Sequence, residues 1–174
     1  MTWSIDRAHT RLGFAVRHMM ISTVRGEFQE YSGTVELNPD DFTQSRFEGE
    51  VEVASITTRN EQRDNHLRTN DFFDVPNHPK LSFKSTAIER KGDDYVVKGD
   101  LTIRGTTKEV AFDVEFAGAV VGFGGKRSAG FSATATINRR DFGVNFGAVL
   151  EAGGLVVADK VKLELEVEVV EDAA

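Results

Sequence analysis

The sequence predicts an all-β protein, roughly eight antiparallel strands forming a sandwich or a closed barrel, with one or two short helices. Three observations carry this. Apolar and polar residues alternate with period two over most of the chain. Turn-forming clusters separate the alternating runs, and helical periodicity is confined to two short stretches. A chain of 174 residues with 40% hydrophobic content suits one domain with a large core, spanning residues 1–174.

Taken in order, Leu12, Phe14, Val16 and His18 share one face of a first strand. Tyr31, Gly33, Val35 and Leu37 share a face of the second, and Phe28 falls out of that parity, which predicts a bend. Phe47, Gly49, Val51 and Val53 alternate with Glu48, Glu50 and Glu52. Leu81, Phe83 and Ser85 open a strand that ends near Lys91-Gly92-Asp93-Asp94. Strands Tyr95–Ile103 and Val110–Phe116 follow, joined by Arg104-Gly105-Thr106-Thr107. Phe131, Ala133, Ala135 and Ile137 define the next. The last is the clearest, with Val161, Leu163, Leu165, Val167 and Val169 opposite Lys160, Lys162, Glu164, Glu166 and Glu168. Such alternation places one face on an apolar interior and the other in water.

Two stretches break the pattern. Thr58-Arg59-Asn60-Glu61 reads as a capping box opening a helix to about Leu67. Arg59, Arg63 and His66 would then share one side of it. Asn138-Arg139-Arg140-Asp141-Phe142-Gly143 reads as a helical turn before a Gly147–Gly154 loop.

Net charge of −7 and a pI near 5.1 disfavour nucleic acid, with its phosphate backbone, and an anionic membrane surface as the main partner. No cysteine is present, which removes disulfides, thiol catalysis and thiolate metal sites. Four histidines without HxH or HxxxH spacing predict no metal site. The motifs GxSxG and GxGxxG are absent, and Gly122-Phe123-Gly124-Gly125-Lys126 reads as a hairpin turn. The start, MTWSIDRAHTRLGF, lacks a basic n-region with an apolar run, and no segment approaches ~18 apolar residues. A cytoplasmic location is the expectation.

Small residues recur on the inferred inner faces at Gly33, Gly49, Gly99, Ala129, Ala133 and Ala135. Phenylalanine is abundant at 13, against one tryptophan and two tyrosines. Such an interior can interlock into a solid core or line a channel for a hydrocarbon, and an eight-stranded barrel has width for either. Between Ser55 and Val75 the chain gathers Arg59, Asn60, Arg63, His66 and Arg68, then Phe72 and Phe73. Cationic groups beside aromatics suit the mouth of an apolar pocket, with the head group of a ligand outside and its tail within.

The motifs Trp3-x-Ile5-Asp6-x-x-His9, Phe14-x-Val16-x-His18, Arg25-Gly26-x-Phe28 and Arg63-Asp64-x-His66-Leu67 run along the chain in a fixed order. They continue with Asp71-Phe72-Phe73-Asp74-Val75, Gly99-Asp100-Leu101-Thr102-Ile103-Arg104-Gly105 and Asn138-Arg139-x-Asp141-Phe142-Gly143. This ordered set resembles the YceI-like family of lipocalin-like, polyisoprenoid-binding proteins, over nearly the whole chain. The resemblance implies an extended eight-stranded antiparallel lipocalin-like barrel whose pore holds a long prenyl or fatty tail. It further implies isoprenoid quinones or prenyl phosphates as ligands, with no established catalysis.

The inner-face candidates for pore contact are Phe14, Val16, Val35, Val51, Val53, Leu101, Ile103, Phe112, Phe131, Leu163 and Leu165, with Phe72 and Phe73 at the rim. Head-group candidates are His18, Arg59, Asn60, Arg63, His66 and Arg68. The expected activity is that of a soluble carrier or store with a non-covalent lipid ligand, no cofactor and no catalytic residue. Transient membrane contact and a monomeric or homodimeric state are compatible with it. The alternative is an enzyme of a small hydrophobic or prenyl substrate with His18 or His66 as general base. Asp159, on the apolar parity of the last strand, should either meet solvent or pair with a cation such as an arginine.

Overall fold

The computed structural model describes residues 2–147 and 157–173. Eleven strand segments make up eight barrel strands, because three of the eight are interrupted. Strands β1 (Thr2–Ile5) and β2 (Arg11–His18) flank a 3-10 turn at Arg7–His9. The Asp6 carboxylate caps that turn, accepting from the Ala8 N–H at 3.0 Å. Strands β3 (Ser22–Phe28) and β4 (Tyr31–Glu36) bend at Gln29-Glu30, whose N–H groups both donate to Ser55 Oγ at 3.1 and 3.0 Å. This is the bend that the parity of Phe28 predicts. Strands β5 (Arg46–Glu52) and β6 (Ile56–Thr57) flank a 3-10 turn at Val53–Ser55.

The remaining strands are continuous: β7 (Lys80–Lys91), β8 (Asp94–Ile103), β9 (Thr106–Val121), β10 (Arg127–Asn138) and β11 (Val157–Glu171). The sequence ends β9 near Phe116. Pairing instead runs on to Val121, past Gly118 at φ 84°, a conformation glycine adopts without penalty.

All pairings are antiparallel, and β11 closes the ring. It pairs with β10 along one edge, with Leu165 opposite Ala133. On its other edge it meets β2, Leu163 opposite Phe14, and then β1, Trp3 opposite Glu171. The result is a closed eight-stranded antiparallel barrel.

The two ends differ. At the closed end, loop 38–45 turns a phenylalanine inward. The Asn38 side chain accepts from the Asp40 and Asp41 N–H groups, both at 3.1 Å, and Asp41 caps Thr43. Phe42, 1% exposed, is thereby held among Tyr95, Phe116, Phe47 and Phe131, with the Phe116 ring stacked at 4.6 Å. Trp3 and fully buried Val169 complete this plug, and the Trp3 indole N–H donates to the Leu37 carbonyl at 3.2 Å.

At the other end, the chain from Thr58 to Pro79 runs from β6 to β7 and carries helix α1 (Glu61–Leu67). The helix lies where the sequence places it, but its cap is Asn60, whose side chain accepts from the Arg63 N–H at 3.0 Å. Thr58 does not cap. Its N–H and hydroxyl are taken by buried Asp64 from within the helix. Arg59 therefore precedes the helix, at φ 62°, and does not share a side with Arg63 and His66.

An apolar lumen open at one end

Between plug and mouth lies a cavity of about 310 Å³, at the lower end of the range for small-molecule pockets. All eight barrel strands contribute to its lining, on most of them through every second residue as strand alternation requires, while on β4 and β5 consecutive residues 31–35 and 47–51 border it. Of the thirteen predicted pore and rim residues, all except Val53 line it. Val53 is 2% exposed but lies in the 3-10 turn after β5, its N–H held by the Pro79 carbonyl at 3.0 Å. The turn breaks the strand parity, so Val53 packs in the wall instead of facing the lumen.

Many lining side chains, among them Phe14, Leu81, Phe131, Leu163 and Leu165, are only partly buried although they point inward. In a filled core such residues lose their accessible surface. Here that surface faces an internal space. Glycines shape it. Gly33 and Gly49 stand opposite each other on β4 and β5, leaving backbone alone as the wall. The Phe83 and Phe14 rings occupy the space over Gly99 and Gly26, where an added Cβ would sit 2.4 and 2.3 Å from ring carbons.

The predicted head-group residues do not line the lumen. His18 is exposed at the end of β2, opposite Ser22 and Val157 and two residues beyond lumen-lining Val16, and is not among the residues that line the lumen. Arg63 donates to the Thr58 hydroxyl at 2.7 Å and carbonyl at 2.8 Å. Arg68 donates to the carbonyls of Ala54 and Ile56, both at 3.1 Å. Arg68 thus ties the rim segment to β6 and to the turn before it, while Arg63 ties the start of that segment to its own helix. Arg59 is exposed. His66 alone reaches the rim aromatics: its ring stands edge-on to Phe72 at 5.1 Å and Phe146 at 5.0 Å, while Nε2 meets the Asp71 carboxylate at 2.8 Å.

Sequence reasoning passed over Arg139, which lines the cavity and is 5% exposed. It donates to the Val144 and Ala158 carbonyls at 2.8 and 3.0 Å, with Asp159 at 3.8 Å. Burial, reinforced by the charge of Arg140, pulls this guanidinium below its ordinary range, and Asp159 opposes the shift. Asp159 itself pairs with Arg140 at 2.7 Å, one of the two outcomes that its parity left open. Phe42 was also passed over. Its signal is a lone aromatic in a polar loop, NPDDFTQS, outside any alternating run. The Asn138–Gly143 turn forms as read, a 3-10 turn at Arg139–Phe142 capped by the Asn138 side chain. Beyond Gly147 the expected loop lies outside the described residues.

One cluster of possible metal donors does assemble. Donor atoms of Asp6, His9 and Glu168 lie within 4.8 Å of one another, although no sequence spacing announces them. A hydrogen bond between His9 Nδ1 and Asp6, 2.8 Å long, accounts for the closest contact. Among the described residues no helix is long and apolar enough to cross a membrane.

A closed antiparallel barrel with a plugged base and an apolar lumen defines a lipocalin-like protein built around a hydrophobic interior. The chain belongs to the YceI-like family, whose domain model matches residues 3–169. A UPF0312 protein of Staphylococcus aureus is 38% identical over 167 residues, 95% of each chain. The crystal structure of Burkholderia cenocepacia BcnA superposes with a TM-score of 0.83 at 25% identity, covering 95% of this chain and 99% of that one. A polyisoprenoid-binding domain from Saccharophagus degradans shares the fold, with a TM-score of 0.68 at 14% identity over 96% and 97% of the two chains.

Proposed function

We propose that the protein carries or stores a polyisoprenoid, an isoprenoid quinone or prenyl phosphate, or a similar long-chain lipid, bound non-covalently in the lumen. The observation that carries this reading is the accessible apolar surface of inward residues such as Leu163 and Leu165 within a barrel plugged at one end. Membership of the YceI-like family and the shared fold of a polyisoprenoid-binding domain support it. Burying each CH₂ contributes ~0.8 kcal/mol, so a few isoprene units approach the practical ceiling of affinity once ordering costs are subtracted. Tail length is then weakly discriminated, and the Phe42 plug sets how deep a tail can go.

Of the polar groups at the mouth, His66 is best placed to meet a head group, since it touches Phe72 and Phe72 lines the lumen. Arg63 and Arg68 act by holding the rim in place. The enzymatic alternative gains no support from this geometry: His18 stands outside the lumen and His66 is engaged by Asp71.

Organic extraction of the purified protein followed by mass spectrometry tests the proposal. About one lipid per chain is expected. Leu163→Trp places an indole in the channel and should remove that lipid from a folded protein. An unchanged lipid content in the folded variant, or no lipid in the parent, would refute the reading.

A further inference from the structure

The β2–β3 hairpin ends at the mouth. Val16 lines the lumen, and His18 pairs with Val157, which lines it too, so the tip that follows stands on the lip of the opening. That tip is apolar: Met19, Met20 and Ile21 are 37%, 52% and 79% exposed. It is also strained. Met19 and Met20 both adopt left-handed backbone, at φ 53° and 61°, and the Ile21 N–H donates back to the His18 carbonyl at 3.1 Å. Asn-Gly or Asp-Gly ordinarily makes such a turn, because consecutive positive φ values penalise residues with longer side chains. Strain of this kind persists where the side chains it displays have a use.

Charge singles out the same hairpin. From Arg11 to Gly26 there is no aspartate or glutamate, in a chain that has 28 of them. Arg17, His18 and Arg25 are exposed along it, and the Arg17 guanidinium donates to the Met20 carbonyl at 3.0 Å, which keeps a cation at the tip. Arg11, further back, faces Glu27 at 3.3 Å.

We infer that the β2–β3 tip docks the mouth onto a lipid bilayer bearing anionic head groups, so that a lipid can pass between bilayer and lumen along Met19, Met20 and Ile21. This rests on the carrier reading above. Apolar insertion and attraction between basic side chains and anionic lipids together drive interfacial binding. Electrostatic reach at physiological salt is only ~8 Å, so the tip's cations act while the acidic remainder of the barrel is largely screened. The net charge of −7 opposes a flat approach and favours contact through this end. The β9–β10 turn also exposes an aromatic, Phe123, but it stands beyond the plug at the closed end, where contact would point the mouth into water.

The test is co-sedimentation of the purified full chain with phosphatidylcholine vesicles, with and without phosphatidylglycerol. Binding to the phosphatidylglycerol vesicles, weakened by added salt, is expected. The triple variant Met19→Asn, Met20→Gly, Ile21→Ser should reduce it by roughly tenfold or more, as expected for loss of apolar insertion, while Phe123→Ser leaves it unchanged. Asn-Gly suits the turn, so the melting temperature of the triple variant should hold or rise, which separates lost docking from lost folding. Parent protein that binds neither vesicle, a folded triple variant that binds like the parent, or a loss confined to Phe123→Ser would each overturn the inference. Extraction of the same preparation keeps the two readings apart. Lipid in the lumen without vesicle binding sinks docking alone, and vesicle binding by a lipid-free protein sinks the carrier alone.

Discussion

Asp64 is a carboxylate 7% exposed, and its Oδ1 accepts from both the N–H and the hydroxyl of Thr58, six residues earlier in the chain. It ties the start of the rim segment to its own helix. Asp64→Ala should destabilise the protein by about 2–3 kcal/mol, since buried donors lose a charged acceptor, and chemical denaturation would measure this. His9 and Asp6 act more weakly, in solvent. The hydrogen bond to Asp6, with the charges of Asp6 and Glu168, raises His9 above its ordinary 6.5, while the bond to His9 lowers Asp6 below 3.8. The folded state therefore holds the His9 proton more tightly than the unfolded chain does. That contribution is complete below pH 6.5 and fades as pH rises through the raised value. Its acidic counterpart is complete above pH 3.8 and is lost as pH falls through the lowered Asp6 value. NMR titration of the His9 ring should show a midpoint above 6.5 that returns toward 6.5 in Asp6→Asn.

At the scale of elements, the rim segment from Thr58 to Pro79 is held by cations from several directions. Arg68 grips β6, and Arg104, at φ 49° in the β8–β9 turn, donates to the carbonyls of Asn70 and Phe72 at 2.9 and 2.8 Å. These bonds hold the stretch of backbone that carries Phe72 and Phe73 to the lumen. Arg104→Ala should loosen this rim and accelerate lipid exchange without emptying the lumen, readable as a faster release rate of a fluorescent prenyl probe. Strand β8 tolerates no side chain at Gly99, because a Cβ there would lie 2.5 Å from the backbone carbonyl of Lys84. Gly99→Val should therefore lower stability, with the β7–β8 pairing losing hydrogen-exchange protection first.

For the molecule as a whole, plug and lumen divide the labour. The aromatic cluster around Phe42 and Val169 supplies a packed base, and the upper barrel keeps open a space that packing would otherwise fill. Phe42→Ala should cost about 3–5 kcal/mol and extend the lumen toward the closed end. Longer tails would then be recovered on extraction. If the lumen normally holds lipid, stripping it should lower the melting temperature, because a ligand at a hundredfold excess over its Kd stabilises by about 2.7 kcal/mol. Val53→Trp, by contrast, acts on the wall and should destabilise the fold instead of blocking the channel.

Local pattern alone was enough for the eight barrel strands, for inward Leu12, Phe14 and Val16 on β2 and the inward sets of β8 and β11, and for the helix near residues 61–67, while for Asp159 it left solvent and a cation both open. Each depends on periods of two or 3.6 and on charge, which neighbouring residues already express. Packing in three dimensions settled what periodicity cannot. It tucked Phe42 in from a polar loop, turned Val53 into the wall, left His18 outside, and committed Arg63 and Arg68 to backbone carbonyls. It also set the choice between a solid and a hollow interior, since an inward phenylalanine reads the same in sequence whether a neighbouring ring or a cavity faces it. Ring closure by β11 and the long-range meeting of loop 38–45 with β8, β9 and β10 make that choice, through contacts that no local window contains.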